Sequence, residues 1–117
     1  MNQLALPLDP MAKAAATRVL MVLGDHRGID NGIGVRMLAA KSMLTERTVR
    51  TAVTELRMQG IGVCGTPETG YFLATSAAEL EPTLQFIRSR ALKSLLLEAR
   101  LRNVALPDLI GQLRVPT

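Results

Sequence analysis

The chain has 117 residues, 14 Lys plus Arg against 10 Asp plus Glu, and a formal net charge of +4. At roughly 100–200 residues per domain, that length allows one domain with a short appended element. Apolar residues make up 48%, too many for wholesale disorder, while aromatics at 3% exclude a stacking platform for single strands and leave an aliphatic core. One cysteine, Cys64, rules out an internal disulfide and a multi-cysteine zinc site. One histidine, His26, leaves no partner for a Ser-His or Cys-His pair, so the expectation is a non-enzyme with no cofactor and no metal. No segment holds the ~20 apolar residues of a membrane span. The first ten residues, acidic at Asp9, do not read as a secretory signal. An unpaired thiol then points to a reducing, cytoplasmic setting.

Residues 1–10 contain Pro7 and Pro10 and are expected to form an extended arm. From Met11 to Leu23, apolar residues at Ala15, Val19, Val22 and Leu23 keep helical spacing. Gly24, Gly28, Gly32 and Gly34 then break the chain. This stretch lacks the lysine and the strand-loop-helix context of a phosphate loop, so it reads as a turn. Val35 to Lys41 is expected to be a short second helix with Met37 and Leu38 inward. Ser42-Met43-Leu44 makes a tight connection, and Thr45 caps a third helix running to about Gln59 and stopping at Gly60.

Within that third helix Val49, Ala52, Val53 and Leu56 fall at i, i+3, i+4 and i+7, a single apolar stripe. The opposite face carries Arg47, Thr51, Thr54 and Met58, with Arg50 and Arg57 on its flank. After Gly60 the period changes to two. Ile61 and Val63, a break from Gly65 to Gly70, and Tyr71-Phe72-Leu73 read as a hairpin. Helix, short helix, turn, longer helix, hairpin is the order of a winged helix-turn-helix, so the expected fold is mainly α with a small β-hairpin.

Ser76 and Glu79 have the spacing of a capping box, but Pro82 removes a helical hydrogen bond. A short turn over 76–81 and a main helix from Pro82 to about Asn103 are therefore expected. Its apolar residues do not form one stripe: Leu84, Ala91, Leu92, Leu95 and Ala99 lie on one side, Phe86, Leu97 and Leu101 on the other. A helix apolar on two sides needs two burial partners, one in its own chain and one in a second copy. Leu84, Leu92, Leu95, Leu97 and Leu101 are the expected homodimer contacts. A last short helix near Pro107 carries Leu109, Ile110 and Leu113. The organisation expected is an arm over 1–10, a winged helix over 11–75 and a helical extension over 76–117.

Leu38-Ala39, Thr45, Val49, Leu56-Arg57, Gly60 and Gly70-Tyr71 resemble the winged helix at the N-terminus of the biotin-operon repressor and of deoxyribose-type repressors. The resemblance covers roughly residues 15–75 and implies a domain that binds double-stranded DNA. Where that family usually places an apolar residue and then a glycine before the third helix, this chain has Ser42 and Met43. The expected turn is therefore atypical, with Met43 rather than Ser42 filling the core.

Charge supports the same region. Arg36 to Arg57 holds five basic residues and two acids, and Glu79 to Arg102 five against three. Arg47, Arg50 and Arg57 are candidate contacts to phosphates or guanine edges, and Thr45 and Thr48 to phosphates at the helix start. Thr51 and Thr54 complete the face. The wing tip from Thr66 to Thr69 contains Glu68 and no cation, so it contributes little. Cys64 reads as a buried inert thiol, and His26 as a polar loop residue.

In the arm, Gln3-Leu4-Ala5-Leu6-Pro7-Leu8 resembles the hexapeptide by which bacterial proteins dock on the replicative sliding clamp. Alternation sends Leu4, Leu6 and Leu8 to one side of an extended backbone while Gln3 hydrogen-bonds beside the groove. The sequence thus points to a small bacterial or phage DNA-binding protein, homodimeric, tethered to the clamp and acting in replication or its regulation. A dimeric transcriptional repressor without clamp contact and a protein-interaction adaptor are the alternatives.

Overall fold

The computed structural model describes the backbone of residues 10–114 and the side chains of residues 10–103. The arm residues Gln3, Leu4, Leu6 and Leu8 lie outside the described residues. The described residues fall into two compact units that divide between Thr83 and Leu84.

Helix α1 (Pro10–Leu23) begins on a proline, whose missing N–H is one the first turn leaves unbonded anyway. Ala15, Ala16, Val19 and Leu23 form its buried face. Helix α2 (Val35–Ser42) and helix α3 (Glu46–Met58) pack with it around a core that also holds Leu38, Ala39, Val49, Ala52, Val53 and Leu56. Met37, expected inward, is 56% exposed, because the core-facing direction of α2 is set by Leu38, Ala39 and Ser42.

Strands β1 (Val63–Thr66) and β2 (Gly70–Leu73) make the antiparallel hairpin, pairing Val63 with Leu73 and Thr66 with Gly70. Phe72 is fully buried. β1 continues through Gly65 and Thr66, where the sequence pointed to a break, and the turn is confined to residues 67–69. Gly65 stays in the ladder for a packing reason: a Cβ there would stand 2.7 Å from the Tyr71 ring. This order, three helices followed by a hairpin, is a winged helix-turn-helix.

The segment after α1 is more than a turn. It holds one 3-10 turn, Ile29–Asn31, and then bonds to the free edge of β2. Ile33 and Tyr71 exchange both backbone bonds at 2.8 Å, and the Gly28 N–H donates to the Leu73 carbonyl at 2.9 Å. Gly32 and Gly70 permit this approach, since a Cβ on either would run into the backbone of the other segment. β2 therefore has hydrogen-bonding neighbours on both edges, so its outer edge is not left open.

Helix α4 (Ala77–Arg114) starts earlier than expected and passes both Pro82 and Pro107 without a break. The hydrogen bond that Pro82 cannot make belongs to the Ala78 carbonyl, and both residues are exposed, so water can take its place. Side chains also hold the first turns. Ser76 Oγ accepts from the Glu79 N–H at 3.3 Å, as a capping box requires. Glu79, however, reaches past Ser76: its carboxylate accepts from the Thr75 N–H at 2.8 Å, the Thr75 hydroxyl at 2.9 Å and the Ile29 N–H at 3.0 Å. These bonds favour the ionised form and hold its carboxyl below the usual value. One turn on, buried Thr83 accepts from the Gly65 N–H at 3.0 Å. The helix start through Thr83 is thus tied to the winged-helix unit. Every described residue from 84 to 103 is exposed, on both apolar sides of the helix. No helix among the described residues is long and apolar enough to cross a membrane.

Candidate nucleic-acid interface

The presented face of α3 is decided at its two ends. At the start, Thr45 Oγ1 accepts from the Thr48 N–H at 3.1 Å and donates to the Thr48 hydroxyl at 2.8 Å. At the end, the Gly60 N–H bonds to the Arg57 carbonyl and the Ile61 N–H to the Leu56 carbonyl, with Gly60 at φ 83°. That is the Schellman arrangement, which closes the helix and turns the chain into β1.

Between these ends the expected separation holds. Val49, Ala52, Val53 and Leu56 are buried, while Arg47, Arg50, Thr51, Thr54 and Met58 are exposed together on the other side. Arg50 lies 3.5 Å from Glu46, an exposed pair of little energetic weight. Among the described residues no ion pair holds Arg47. The Thr51 and Thr54 hydroxyls donate to the Arg47 and Arg50 carbonyls, each at 3.2 Å, and so present acceptor lone pairs and methyl groups outward.

Arg57 departs from the set. Its Nε donates to the Val63 carbonyl at 2.8 Å, which ties α3 to the hairpin. Burial holds its guanidinium below the ordinary value, against opposing contributions from Tyr71 and Cys64. A flank position in the sequence cannot reveal this, because the carbonyl it meets lies beyond the turn at Gly60.

The connection between α2 and α3 corrects the expectation for Met43. Ser42 is buried at 3% exposure and Met43 is 82% exposed. The Met43 N–H bonds to the Ala40 carbonyl and the Leu44 N–H to the Ala39 carbonyl, with Met43 at φ 59°. This is again a Schellman turn, with methionine in the left-handed position that glycine adopts without cost. The turn is the usual one for joining two helices. Only its residues are unusual, and the buried Ser42 hydroxyl has no hydrogen-bond partner among the described residues.

A cleft of about 590 Å³ runs beside the exposed face of α3, with Met11 and Arg18 of α1 on one wall and Met43, Arg47, Thr51 and Glu55 on the other. Arg18 and Met11 were missed by reasoning on the third helix alone. The signal available was the burial of Ala15 and Val19, which turns Arg18 toward the rim of that helix. The wing tip brings no cation. Thr66 and Thr69 bond to each other and to local backbone, closing the turn around Pro67 and Glu68.

His26 Nδ1 bonds to the Asn31 carbonyl at 2.8 Å, a loop-closing role. Cys64 is fully buried, and burial pushes its thiol above the ordinary value. No group of three acidic, histidine or cysteine side chains able to hold a metal occurs among the described residues. Leu84, Leu92, Leu95, Leu97 and Leu101 are each at least half exposed on α4.

The chain matches no family model, and no curated protein matches it. Among solved structures it is similar to a GntR family transcriptional regulator from Listeria monocytogenes, at 20% identity and a TM-score of 0.41, over 94% of this chain and 97% of that one. An overlap that loose decides neither fold nor role.

Proposed function

We propose that the chain binds double-stranded DNA through α3, which lies along a major groove. The observation that carries this reading is the exposed face of Arg47, Arg50, Thr51 and Thr54, set on a helix whose other side is entirely core. Arg47, free of an ion pair among the described residues, contacts a guanine edge or a phosphate, and Arg50 exchanges Glu46 for a phosphate. Thr48 contacts the backbone at the helix start, where Thr45 is already committed to capping. Arg57 positions α3 against β1 rather than touching DNA.

Changing both Arg47 and Arg50 to Ala is expected to leave the circular dichroism spectrum intact, weaken duplex binding and reduce the salt slope by about one unit per lost phosphate contact. Unchanged affinity for random duplex in that double variant rejects the assignment and favours an adaptor that holds proteins. The spacing of Gln3, Leu4, Leu6 and Leu8 supports one addition, an arm that tethers the DNA-bound protein to a sliding clamp. A peptide of residues 1–10 that fails to compete with the whole chain for the clamp removes that addition and leaves DNA binding untouched.

A further inference from the structure

We propose that α4 carries, from Leu92 onward, a coiled-coil seam suited to an acidic amphipathic helix of another protein, an interaction surface separate from the DNA-binding face. Leu92, Leu96, Ala99 and Asn103 follow one another at intervals of four, three and four residues. The same alternation continues in the sequence at Leu106, Ile110 and Leu113, along a helical backbone that reaches Arg114. A four-three alternation gives a repeat of 3.5 residues, which keeps one line of side chains facing a partner helix over many turns. In that register leucine occupies the d positions except at Ala99, and Asn103 is the polar a residue that fixes alignment. Leu92 and Leu96 are 53% and 52% exposed, so the seam is open to a partner.

The flanks say which helix fits. Positions g and e beside the seam, from Arg88 to Arg102, hold Arg88, Lys93, Leu95, Arg100 and Arg102, four cations and no acid. Glu98 lies off the seam and meets Arg102 at 3.3 Å in an exposed pair that a stronger partner can replace. A second copy in parallel would set Arg88 of one chain against Lys93 of the other, and an antiparallel copy would set like flank against like flank. Both arrangements place repulsion where partner choice is made. A bilayer surface suits the helix no better. Arg88 and Arg102 border the apolar line on one side, Lys93 and Arg100 on the other, and Arg90 stacks over Phe86 at 5.7 Å elsewhere, so no clean apolar half exists. Nucleic acid would take the cations and leave the leucines wet. An acidic helix with an apolar stripe satisfies both.

The test uses the full chain and two synthetic peptides of matched heptads, with Ile at a, Leu at d and one Asn aligned to Asn103, differing only in Glu or Lys at every e and g. Fluorescence anisotropy is expected to show the Glu peptide binding on the order of 10- to 100-fold tighter than the Lys peptide at low salt, with the gap closing at high salt. Leu96→Glu is expected to abolish capture, and glutamate at all four basic flank positions, Arg88→Glu, Lys93→Glu, Arg100→Glu and Arg102→Glu together, to reverse the preference. Both variants sit on exposed positions and are expected to keep the wild-type helical spectrum. Equal binding of the two peptides, or binding of neither, overturns the proposal. So does sedimentation as a dimer that Leu96→Glu dissociates and the Glu peptide does not displace, since the occupant is then a second copy. Capture by phosphatidylglycerol vesicles in place of the Glu peptide overturns it in favour of lipid.

Discussion

In α3 every valine and leucine is buried, whereas from residue 84 to residue 103 of α4 no leucine is. Both helices carry leucine and alanine, and they differ in how their apolar residues are arranged around the axis. On α3 the apolar positions other than Met58 share one face, and two other helices and a hairpin cover it. On α4 leucines point in several directions with cations between them, so no single neighbour within a small domain can bury them all. Side-chain identity therefore says little about burial here. Angular order decides it, and a helix that lacks that order is left with surface that only another molecule can remove from water.

Truncation by single residues separates the two regions most sharply. Phe72→Ala empties a fully buried site and is expected to lower stability by about 3–5 kcal/mol, read from urea unfolding followed by circular dichroism. Leu95→Ala, on a side chain 60% exposed, should fall within about 0.5 kcal/mol of wild type in the same assay. A loss comparable to Phe72→Ala would mean that α4 is already covered in solution, and the contrast would fail.

Thr83→Val probes the last point at which α4 is held by the winged helix. It keeps the shape and leaves the Gly65 N–H without its 3.0 Å partner, at an expected cost of about 1–3 kcal/mol in urea unfolding. Amide exchange should quicken along β1 before it changes in α3. The α2–α3 turn should respond in the opposite direction. Ser42→Ala removes a buried hydroxyl with no partner among the described residues, and Met43→Gly relieves the left-handed backbone. Each is expected to stabilise by about 1 kcal/mol, raising the melting temperature. A destabilising Ser42→Ala would show that the hydroxyl has found a partner after all.

The smallest effect is set by pH. Glu79 has its carboxyl held below the ordinary value of 4.5 by bonds from Thr75 and Ile29. A depressed carboxylate contributes stability that is complete above its unfolded value and is lost as pH falls through its folded value. Wild type should therefore lose stability on acidification below about 4.5, and Glu79→Gln should lose less over the same interval, as followed by thermal melts across that range. Parallel curves for the two proteins would remove Glu79 from the account.

Much of this arrangement was legible in the residues. The stripe of α3, its Thr45 cap, its stop at Gly60 and the hairpin follow from spacing and from two residue types with strong local preferences. What escaped depends on neighbours far along the chain or on positions that outrank identities. Ser42 lies inward because the turn places that position inward, whatever side chain it bears. The pairing of Ile33 with Tyr71 involves one residue on one side, too short to leave a period. Pro82 stayed inside α4 because the lost bond is wet and because Glu79 and Thr83 hold the turns around it. Arg57 looked like part of the exposed set until the Val63 carbonyl came within 2.8 Å.

The buried thiol has a practical consequence. Cys64 is the chain's one cysteine, enclosed at the hairpin with its Sγ 3.5 Å from the Glu79 carbonyl oxygen. A thiol kept covered and protonated does not react with an aromatic disulfide reagent, so labelling proceeds only in molecules where β1 has parted from the start of α4. Where reclosing outpaces labelling, the labelling rate divided by that of the unfolded chain is the equilibrium constant for that opening. The protein thus carries its own reporter for one contact. Comparing that constant with global unfolding tells whether the wing can loosen while the three-helix core stays closed.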